Sequence, residues 1–267
     1  LPEQKRRNDD VKQPLTLIKV GGKIVEDPSA LAALLDRLVG IEGLKVLVHG
    51  GGRSATRLAD ELGIKTVMID GRRVTDSETL RVVTMVYAGL VNKSIVAGLQ
   101  ARGVNAAGVT GADLNLIVSD RRKPVNGVDY GYVGDVRHVS AEGFRTLLDS
   151  GVMPVVAPLS HDGKGSMLNT NADTIASSVA RGLAGLYDVT LVYCFEKPGV
   201  LADPDDDSSV IPLITPELYA RLRADGVVTD GMIPKLDNAF AAIAEGVSRV
   251  VITAASSLDG GGTTISN

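Results

Sequence analysis

The sequence predicts an α/β fold built on a parallel sheet, and three observations predict it. Short apolar runs alternate with longer helix-like segments along most of the chain, the rhythm of strands joined by crossover helices. Glycine clusters stand where the first two strands give way to helices, at Val20-Gly21-Gly22 and His49-Gly50-Gly51-Gly52. No internal repeat or low-complexity tract interrupts the alternation.

The elements follow in order. LTLIKV at 15–20 reads as the first strand, with a helix expected over 30–38. KVLVHG at 45–50 reads as the second strand, with a helix over 53–62. Further strands are expected at 104–109, 153–158, 189–193 and 249–253, and helices at 77–102, 172–185, 215–225 and 234–245. The stretch RRKPVNGVDYGYVGDVRHV breaks the rhythm: Asn126-Gly127 is a hairpin-type turn signal and YGYVGDV alternates as a strand should, so a projecting β-hairpin is expected there. The acidic run ADPDDDSS reads as a solvated loop.

Composition sets the outer bounds. A chain of 267 residues, 44% hydrophobic and 22% charged, has material for one large or two modest domains with a substantial core. A formal charge of -4 supplies no global field for nucleic acid or an anionic membrane, so neither is an expected partner and any anionic ligand must be held by local groups. The single cysteine, Cys194, excludes an internal disulfide, and no cysteine/histidine cluster suggests a metal; a reducing, cytoplasmic setting is expected. No apolar run in the sequence approaches the roughly 20 residues that span a bilayer, and LPEQKRRNDDVKQ is too polar for a signal peptide.

Five clusters fall at strand ends or helix starts, where open α/β sheets bind ligands. Lys19 precedes Gly21-Gly22, whose lack of a Cβ lets a ligand approach the backbone; a lysine snorkelling from an edge strand is the competing account. The glycines after His49 suit an anion-binding nest at a helix N-terminus, or merely a tight turn. In GRRVTD, Thr75 or Asp76 can cap the long helix, and an arginine there can clamp a carboxylate with two hydrogen bonds. In NTNAD an N-cap accounts for one of the polar residues but not three. In TDGMIPK, Lys235 falls in a first helical turn, where the helix dipole disfavours a cation unless an anion is near.

The ordered set I-K-V-G-G, V-H-G-G-G, G-R-R-V-T-D, N-K, N-T-N-A-D and D-G-M-I-P-K resembles the amino acid kinase family over residues 14–266. The resemblance implies an open, mainly parallel eight-stranded sheet sandwiched between helices. It implies a polar tail at 1–13, an N-lobe at 14–187 for an acyl amino acid and for dimerisation, and a C-lobe at 188–267 for ATP. The absence of a Walker-type G-x-x-x-x-G-K-[ST] fits this family and argues against a P-loop kinase.

Carried over residue by residue, the resemblance implies that Lys19 and Lys235 are the cations that stabilise the transferring phosphoryl group, with Asp173 organising both. Gly21 and Gly22, with Gly51 and Gly52, would offer amides to the phosphates and the attacking carboxylate. Arg73 would pair with the substrate α-carboxylate, Asn169 would bind the acylated amino acid, and the hairpin around 130–136 would form a lid. For ATP the matching positions are Glu196, Lys197, Pro198, Gly199, Val200, Leu201, Val227, Val228 and Thr229. Here the chain departs from the family's usual Ser/Thr-Asp before x-x-Gly-Val by reading Phe195-Glu196-Lys197-Pro198. Magnesium is expected on the nucleotide phosphates, with no protein ligand named.

The implied reaction is phosphorylation by ATP of the γ-carboxylate of an N-acyl-L-glutamate in arginine biosynthesis, with acetyl the leading acyl group and succinyl the alternative. A non-catalytic sensor of the same fold is disfavoured because Lys19, Asp173 and Lys235 are all present. A homodimer is expected. Arginine-inhibited members carry an extra N-terminal helix, and LPEQKRRNDDVKQ has no apolar stripe at the helical period, so insensitivity to arginine is expected.

Overall fold

The protein is described by a computed structural model covering residues 12–69, 71–228, 232–258 and 260–267. In chain order, β1 (Gln13–Val20), α1 (Gly22–Glu26), α2 (Pro28–Gly40), β2 (Leu44–His49) and α3 (Gly52–Glu61) open the fold. A small hairpin, β3 (Val67–Ile69) and β4 (Arg72–Val74), leads to α4 (Ser77–Thr84) and α5 (Asn92–Gln100), which are joined without a break by a π-helical segment, Met85–Val91. Then come β5 (Ala106–Val109), β6 (Ile117–Arg121), β7 (Gly134–Val139), α6 (Ala141–Asp149), β8 (Met153–Val156), β9 (Leu159–His161), β10 (Met167–Asn169) and α7 (Ala172–Leu183). The chain closes with β11 (Tyr187–Phe195), β12 (Leu213–Ile214), α8 (Pro216–Ala224), α9 (Ile233–Ala244), β13 (Arg249–Ala254) and β14 (Thr263–Ile265).

The main sheet has eight strands in the order β12-β14-β13-β11-β1-β2-β8-β5. Six are mutually parallel from β13 to β5, and β14 and β12 run against them at one edge. This is the predicted α/β architecture. β1 lies at the centre, every residue from Gln13 to Val20 registered against Tyr187 to Cys194 of β11, so Lys19 does not belong to an edge strand.

Strand alternation divides the core into two layers. Leu15 and Leu17 face α7 and α9, packing with Val189, Leu191, Ile175, Val179 and Leu236. Ile18 and Val20 face the other way, onto Leu34 and Leu38 of α2 and Val83, Ile95 and Leu99 of the long helix. The helices form where the apolar spacing supplies such a stripe and a cap starts it. Asp27 accepts from the amide of Ala30 ahead of α2, Asp76 from Thr79 ahead of α4, and Asn171 from Asp173 and Thr174 ahead of α7.

Ser77–Gln100 is 24 residues long and, with a mean hydropathy of 1.5 in its most apolar stretch, passes by length and composition for a membrane-crossing helix, although Glu78, Arg81 and Lys93 leave no uninterrupted apolar run near 20 residues. Its charged residues Glu78, Arg81 and Lys93 sit towards the ends, which leaves a long apolar middle. In this fold Val82, Val83, Val86, Val91, Ile95 and Leu99 on one face are core residues. The hairpin forms with a shifted boundary. Asn126 and Gly127 turn the chain with positive φ, but the second strand is Gly134–Val139. Residues 130–133 instead bridge outward: the amide of Thr75 donates to Tyr130, Tyr132 donates back to Thr75, and Asn169 donates to Tyr132.

Candidate active site

The site is assembled at the C-terminal ends of β1, β2 and β11. β1 stops at Val20, and Gly21 turns the chain into α1, its carbonyl accepting from the amide of Ile24. β2 stops at His49, the amide of Gly50 donating to Val20 across the gap between the two turns. The turns approach so closely that a Cβ on Gly50 would stand 3.0 Å from the Gly22 nitrogen. A Cβ on Gly22 would stand 3.4 Å from the Gly51 nitrogen and 3.6 Å from that of Gly52. A side chain on Gly22 would thus occupy the space in front of two amides at the start of α3, where helical amides have no partner within the helix. Such a cradle of amides is of the kind that can hold an anion.

Lys19 projects beside this cradle from the same strand face as Leu15 and Leu17, 7% exposed. Its ammonium stands 2.7 Å from Oδ1 of Asp173, in the first turn of α7. That oxygen is shielded from solvent and makes no hydrogen bond, so the contact is a charge pair held by proximity rather than by directed bonding. Lys235, in the first turn of α9, enters from the other side. Burial pushes its pKa down, the charge of Asp173 pulls it back up, and Lys19 lowers it again.

Between the lysines stands a residue with no assigned role in the sequence reading. The Phe195 ring lies 4.0 Å from the Lys235 ammonium and 5.4 Å from that of Lys19, centroid to nitrogen, so both cations share one aromatic ring. Tyr193, two residues back on the same strand face, stacks against Phe195 with centroids 5.9 Å apart. The only sequence signal was the departure at this position.

Three clefts meet here. One of about 200 Å³ is lined by Gly50, Gly51, Gly52, Arg73, Tyr87, Asn169 and Thr170. A second, of about 330 Å³, is lined by Gly21, Gly22, Lys23, Glu196, Lys197, Gly199, Met232 and Lys235. A third, of about 790 Å³, runs past Asp173, Arg181, Phe195, Lys235 and Asn238. A cavity of about 870 Å³ on the opposite sheet face, between α2 and Thr16, Thr190 and Arg249, holds none of the candidate residues.

In the first cleft Arg73 is buried on β4 and already donates to the Gly52 carbonyl, to Thr56 Oγ1 and to Thr66 Oγ1, at 2.9 to 3.1 Å. These bonds lock the guanidinium in place. Tyr87, which sequence reasoning missed, lines the same cleft from the π-helical segment; burial pushes its phenol pKa up while the charge of Arg73 draws it down. Asn169 donates to Thr75 Oγ1 at 3.0 Å, which fixes its amide at the cleft wall.

The positions matched to ATP divide. Glu196, Lys197 and Gly199 line the second cleft, Glu196 paired with Lys23 and Lys197 with Asp207. Val200 and Val228 do not line it: they are 2% and 4% exposed within the apolar core, and the Val200 amide donates inward to Thr263 Oγ1. Leu201 is taken up in a bridge to Val210, and neither Pro198 nor Val227 lines the cleft. Thr229 lies outside the described residues. Among the described residues no group of three or more His, Cys, Asp or Glu could hold a metal ion.

Comparison with known proteins places the chain among relatives. Residues 14–254 match the amino acid kinase family. The acetylglutamate kinase of Phocaeicola vulgatus is 64% identical over 255 residues, covering 96% of this chain and 99% of that one. The acetylglutamate kinase of Bacteroides thetaiotaomicron is 62% identical over 256 residues, with 96% and 99% covered. Among solved structures, the smu.665 protein of Streptococcus mutans superposes with a TM-score of 0.75 at 29% identity, covering 94% of this chain and 98% of the other. A carbamate kinase of Giardia lamblia, 14% identical, shares the fold with a TM-score of 0.62, covering 96% and 98%. With its ordered motifs gathered round one cradle and its matches spanning nearly the whole length, the chain belongs to the amino acid kinase family.

Proposed function

We propose that the protein transfers the γ-phosphoryl group of ATP to the γ-carboxylate of N-acetyl-L-glutamate, giving ADP and the γ-acyl phosphate, a step of arginine biosynthesis. The observation that carries this reading is the placing of Lys19 and Lys235 beside the Gly22 cradle, between a cleft walled by Arg73 and Asn169 and a cleft walled by Glu196 and Lys197. Acetylglutamate kinases 62–64% identical over nearly their whole length supply the substrate.

In this reading a carboxylate oxygen attacks the γ-phosphorus, forming an acyl O–P bond as the bond to the β–γ bridging oxygen breaks and its electron pair leaves with ADP. The nucleophile needs no base, since a glutamate side chain with a pKa of about 4.3 is ionised at neutral pH. The transition state is loose, with charge spread over equatorial and bridging oxygens, so catalysis is mainly positioning and electrostatics. Lys19 and Lys235 meet that charge from two sides, and the amides of Gly22, Gly51 and Gly52 orient the reacting oxygens. Asp173 holds Lys19 in place and supports the protonated form of Lys235 from a distance. Arg73 receives the α-carboxylate and Asn169 the acylated amino acid. Mg²⁺ would arrive on the nucleotide's own phosphates, in keeping with the lack of a cage among the described side chains.

The same reading assigns the acyl amino acid to an N-lobe at 14–187 and ATP to a C-lobe at 188–267, and places the protein in the cytoplasm as a homodimer without nucleic-acid or membrane partners. Exposed Met85 and Leu90, at 51% and 65%, support pairing through the long helix. Incubation with ATP, Mg²⁺ and N-acetyl-L-glutamate, trapping the acyl phosphate with hydroxylamine, tests the reaction, with N-succinyl-L-glutamate as a parallel arm. Product from the acetyl substrate is expected; no product from it would end this reading.

A further inference from the structure

The proposed transfer site uses the amides of Gly51 and Gly52 but gives no task to the polar residues beneath them. His49 ends β2 with no solvent exposure, and Asn92 begins α5 almost as deeply buried. His49 Nδ1 lies 2.8 Å from the Gly50 carbonyl oxygen, and His49 Nε2 lies 3.1 Å from Asn92 Nδ2. Asn92 Nδ2 also donates to the Val155 carbonyl at 2.9 Å, while Lys93 Nζ donates to Asn92 Oδ1 at 3.1 Å and to the Gly108 carbonyl at 2.9 Å.

Every direction in this network is fixed by groups that can act only one way. A backbone carbonyl only accepts and an ammonium only donates, so Val155 and Lys93 set the Asn92 amide with Nδ2 towards His49. His49 Nε2 must then accept, and Nδ1 must carry the proton that goes to Gly50. The Gly50 carbonyl demands the same tautomer from the other end. Burial, which holds the His49 pKa down at about 4, keeps the ring neutral as this requires.

A trans peptide places its N–H opposite its C=O. Pinning the Gly50 carbonyl to His49 therefore points the Gly51 N–H away from the ring, and the Gly51 nitrogen is one of the two that face the space above Gly22. The π-helical segment completes the arrangement. Its i→i+5 bonding widens the helix so that residues five apart lie above one another. Tyr87 and Asn92 are five apart, and the one lines the substrate cleft while the other meets His49. Space for Asn92 exists because residue 108 is glycine: a Cβ there would stand 1.7 Å from Asn92 Oδ1.

We propose that His49 and Asn92 are positioning residues, which hold the Gly50–Gly51 peptide so that the Gly51 amide faces the transferring group, with the π-helical segment delivering Asn92 to the ring. The inference rests on the kinase reading above. It is tested with His49→Leu, which removes the donor, and His49→Asn, which keeps an N–H donor near the position of Nδ1 but cannot reach Asn92. His49→Leu should lower kcat by about 10- to 100-fold, somewhat less than the loss of a donor that itself touches the reacting group, with the KM of both substrates little changed. His49→Asn should recover most of that kcat. Both variants lose the Asn92 contact, so a purely structural role predicts that kcat falls alike in both, or in neither, in step with thermal denaturation; either result overturns the proposal. Should His49→Leu fail to fold, Asn92→Ser is read by the tautomer rather than by turnover, since it frees Nε2 while leaving Nδ1 beside Gly50: a growing share of the Nε2–H ring is expected, and an unchanged Nδ1–H ring there overturns the part assigned to Asn92. With only three histidines in the chain, ¹⁵N NMR of histidine-labelled protein reads the tautomer directly. A neutral Nδ1–H ring at His49 is expected, and an Nε2–H ring overturns the inference. An unsubstituted protein inactive towards N-acetyl-L-glutamate would refute the kinase reading, while the tautomer measurement would still judge His49.

Discussion

Lys19 and Lys235 face the same space but are held by opposite means. Lys19 stands on the central strand, buried, with a carboxylate 2.7 Å away and rows of hydrogen bonds on both sides of its backbone. Lys235 stands in the first turn of a helix, between two clefts, against the face of an aromatic ring. On the Lys19 side the buried side chains have fixed neighbours: Asp173 for Lys19, and the Gly50 carbonyl and Asn92 for His49. On the Lys235 side the ion pairs of Glu196 and Lys197 are exposed, where such pairs contribute about 0 to 1 kcal/mol. One half of the site is fixed by buried contacts; the other is open and held by exposed ones.

The largest effect that tests this contrast is removal of either cation. Lys19→Ala and Lys235→Ala should each lower kcat by about 100-fold or more, as for one preorganised donor in an oxyanion site. The contrast itself is sharpened by arginine: Lys19→Arg should approach the alanine variant, because the buried slot cannot take the larger head, whereas Lys235→Arg should retain more turnover in its open cleft. Equal losses in the two arginine variants would erase the distinction. Steady-state rates by hydroxylamine trapping measure both.

The fixed half should also be visible in acid. His49 has its pKa lowered by burial from 6.5 to about 4. A base whose folded pKa is depressed leaves the unfolded chain holding the extra proton as pH falls, so stability is intact above about 6.5 and declines down to about 4. The decline attributable to this residue reaches about 3 kcal/mol at the lower limit, at 1.36 kcal/mol per pKa unit. Urea denaturation between pH 7 and 4 should show that slope, and it should be shallower in His49→Asn. A parallel slope in the variant would remove His49 from the account.

Next in size is Arg73. Its three bonds to Gly52, Thr56 and Thr66 hold the guanidinium plane, and a lysine cannot reproduce that geometry. Arg73→Lys should raise KM for N-acetyl-L-glutamate by about tenfold, the equivalent of 1.4 kcal/mol, and leave KM for ATP nearly unchanged. Equal rises for both substrates would mean general loosening rather than loss of a clamp. The smallest effect is expected at Phe195. Phe195→Leu removes a cation–π contact of about 0.5 to 1 kcal/mol, or roughly a two- to fivefold fall in kcat. No change would make the ring a bystander.

Much of the scaffold was legible because its signals are local. Apolar alternation and caps such as Asp76 and Asn171 mark strands and helix starts with few residues. The short strands β9, β10, β12 and β14 were not legible, since two or three residues carry no period and their pairing is settled by distant partners. Among the site residues, the glycine turns and the flanking lysines stand out by residue type alone. Tyr87 and Phe195 do not, because an aromatic residue in an apolar run reads as core until the fold shows what its face meets. Val200 and Val228 show the reverse: adjacency to a cleft segment in sequence did not place them in the cleft, because strand and turn geometry sends alternate side chains inward.

The π-helical segment stores its information in length rather than in composition. MVYAGLV has no charged residue, and Met85 and Leu90 are more than half exposed. Substitution there can leave the backbone path alone. Deleting one residue would let the segment close into an ordinary α-helix, which turns everything beyond it by about 100° relative to what came before. Asn92 would swing off His49, and the core stripe of Ile95 and Leu99 would leave Leu34 and Leu35. The helix works as a phase shifter between a substrate-facing half and a half that braces the glycine turn, and a frame one residue shorter would be a worse error than almost any single replacement within it.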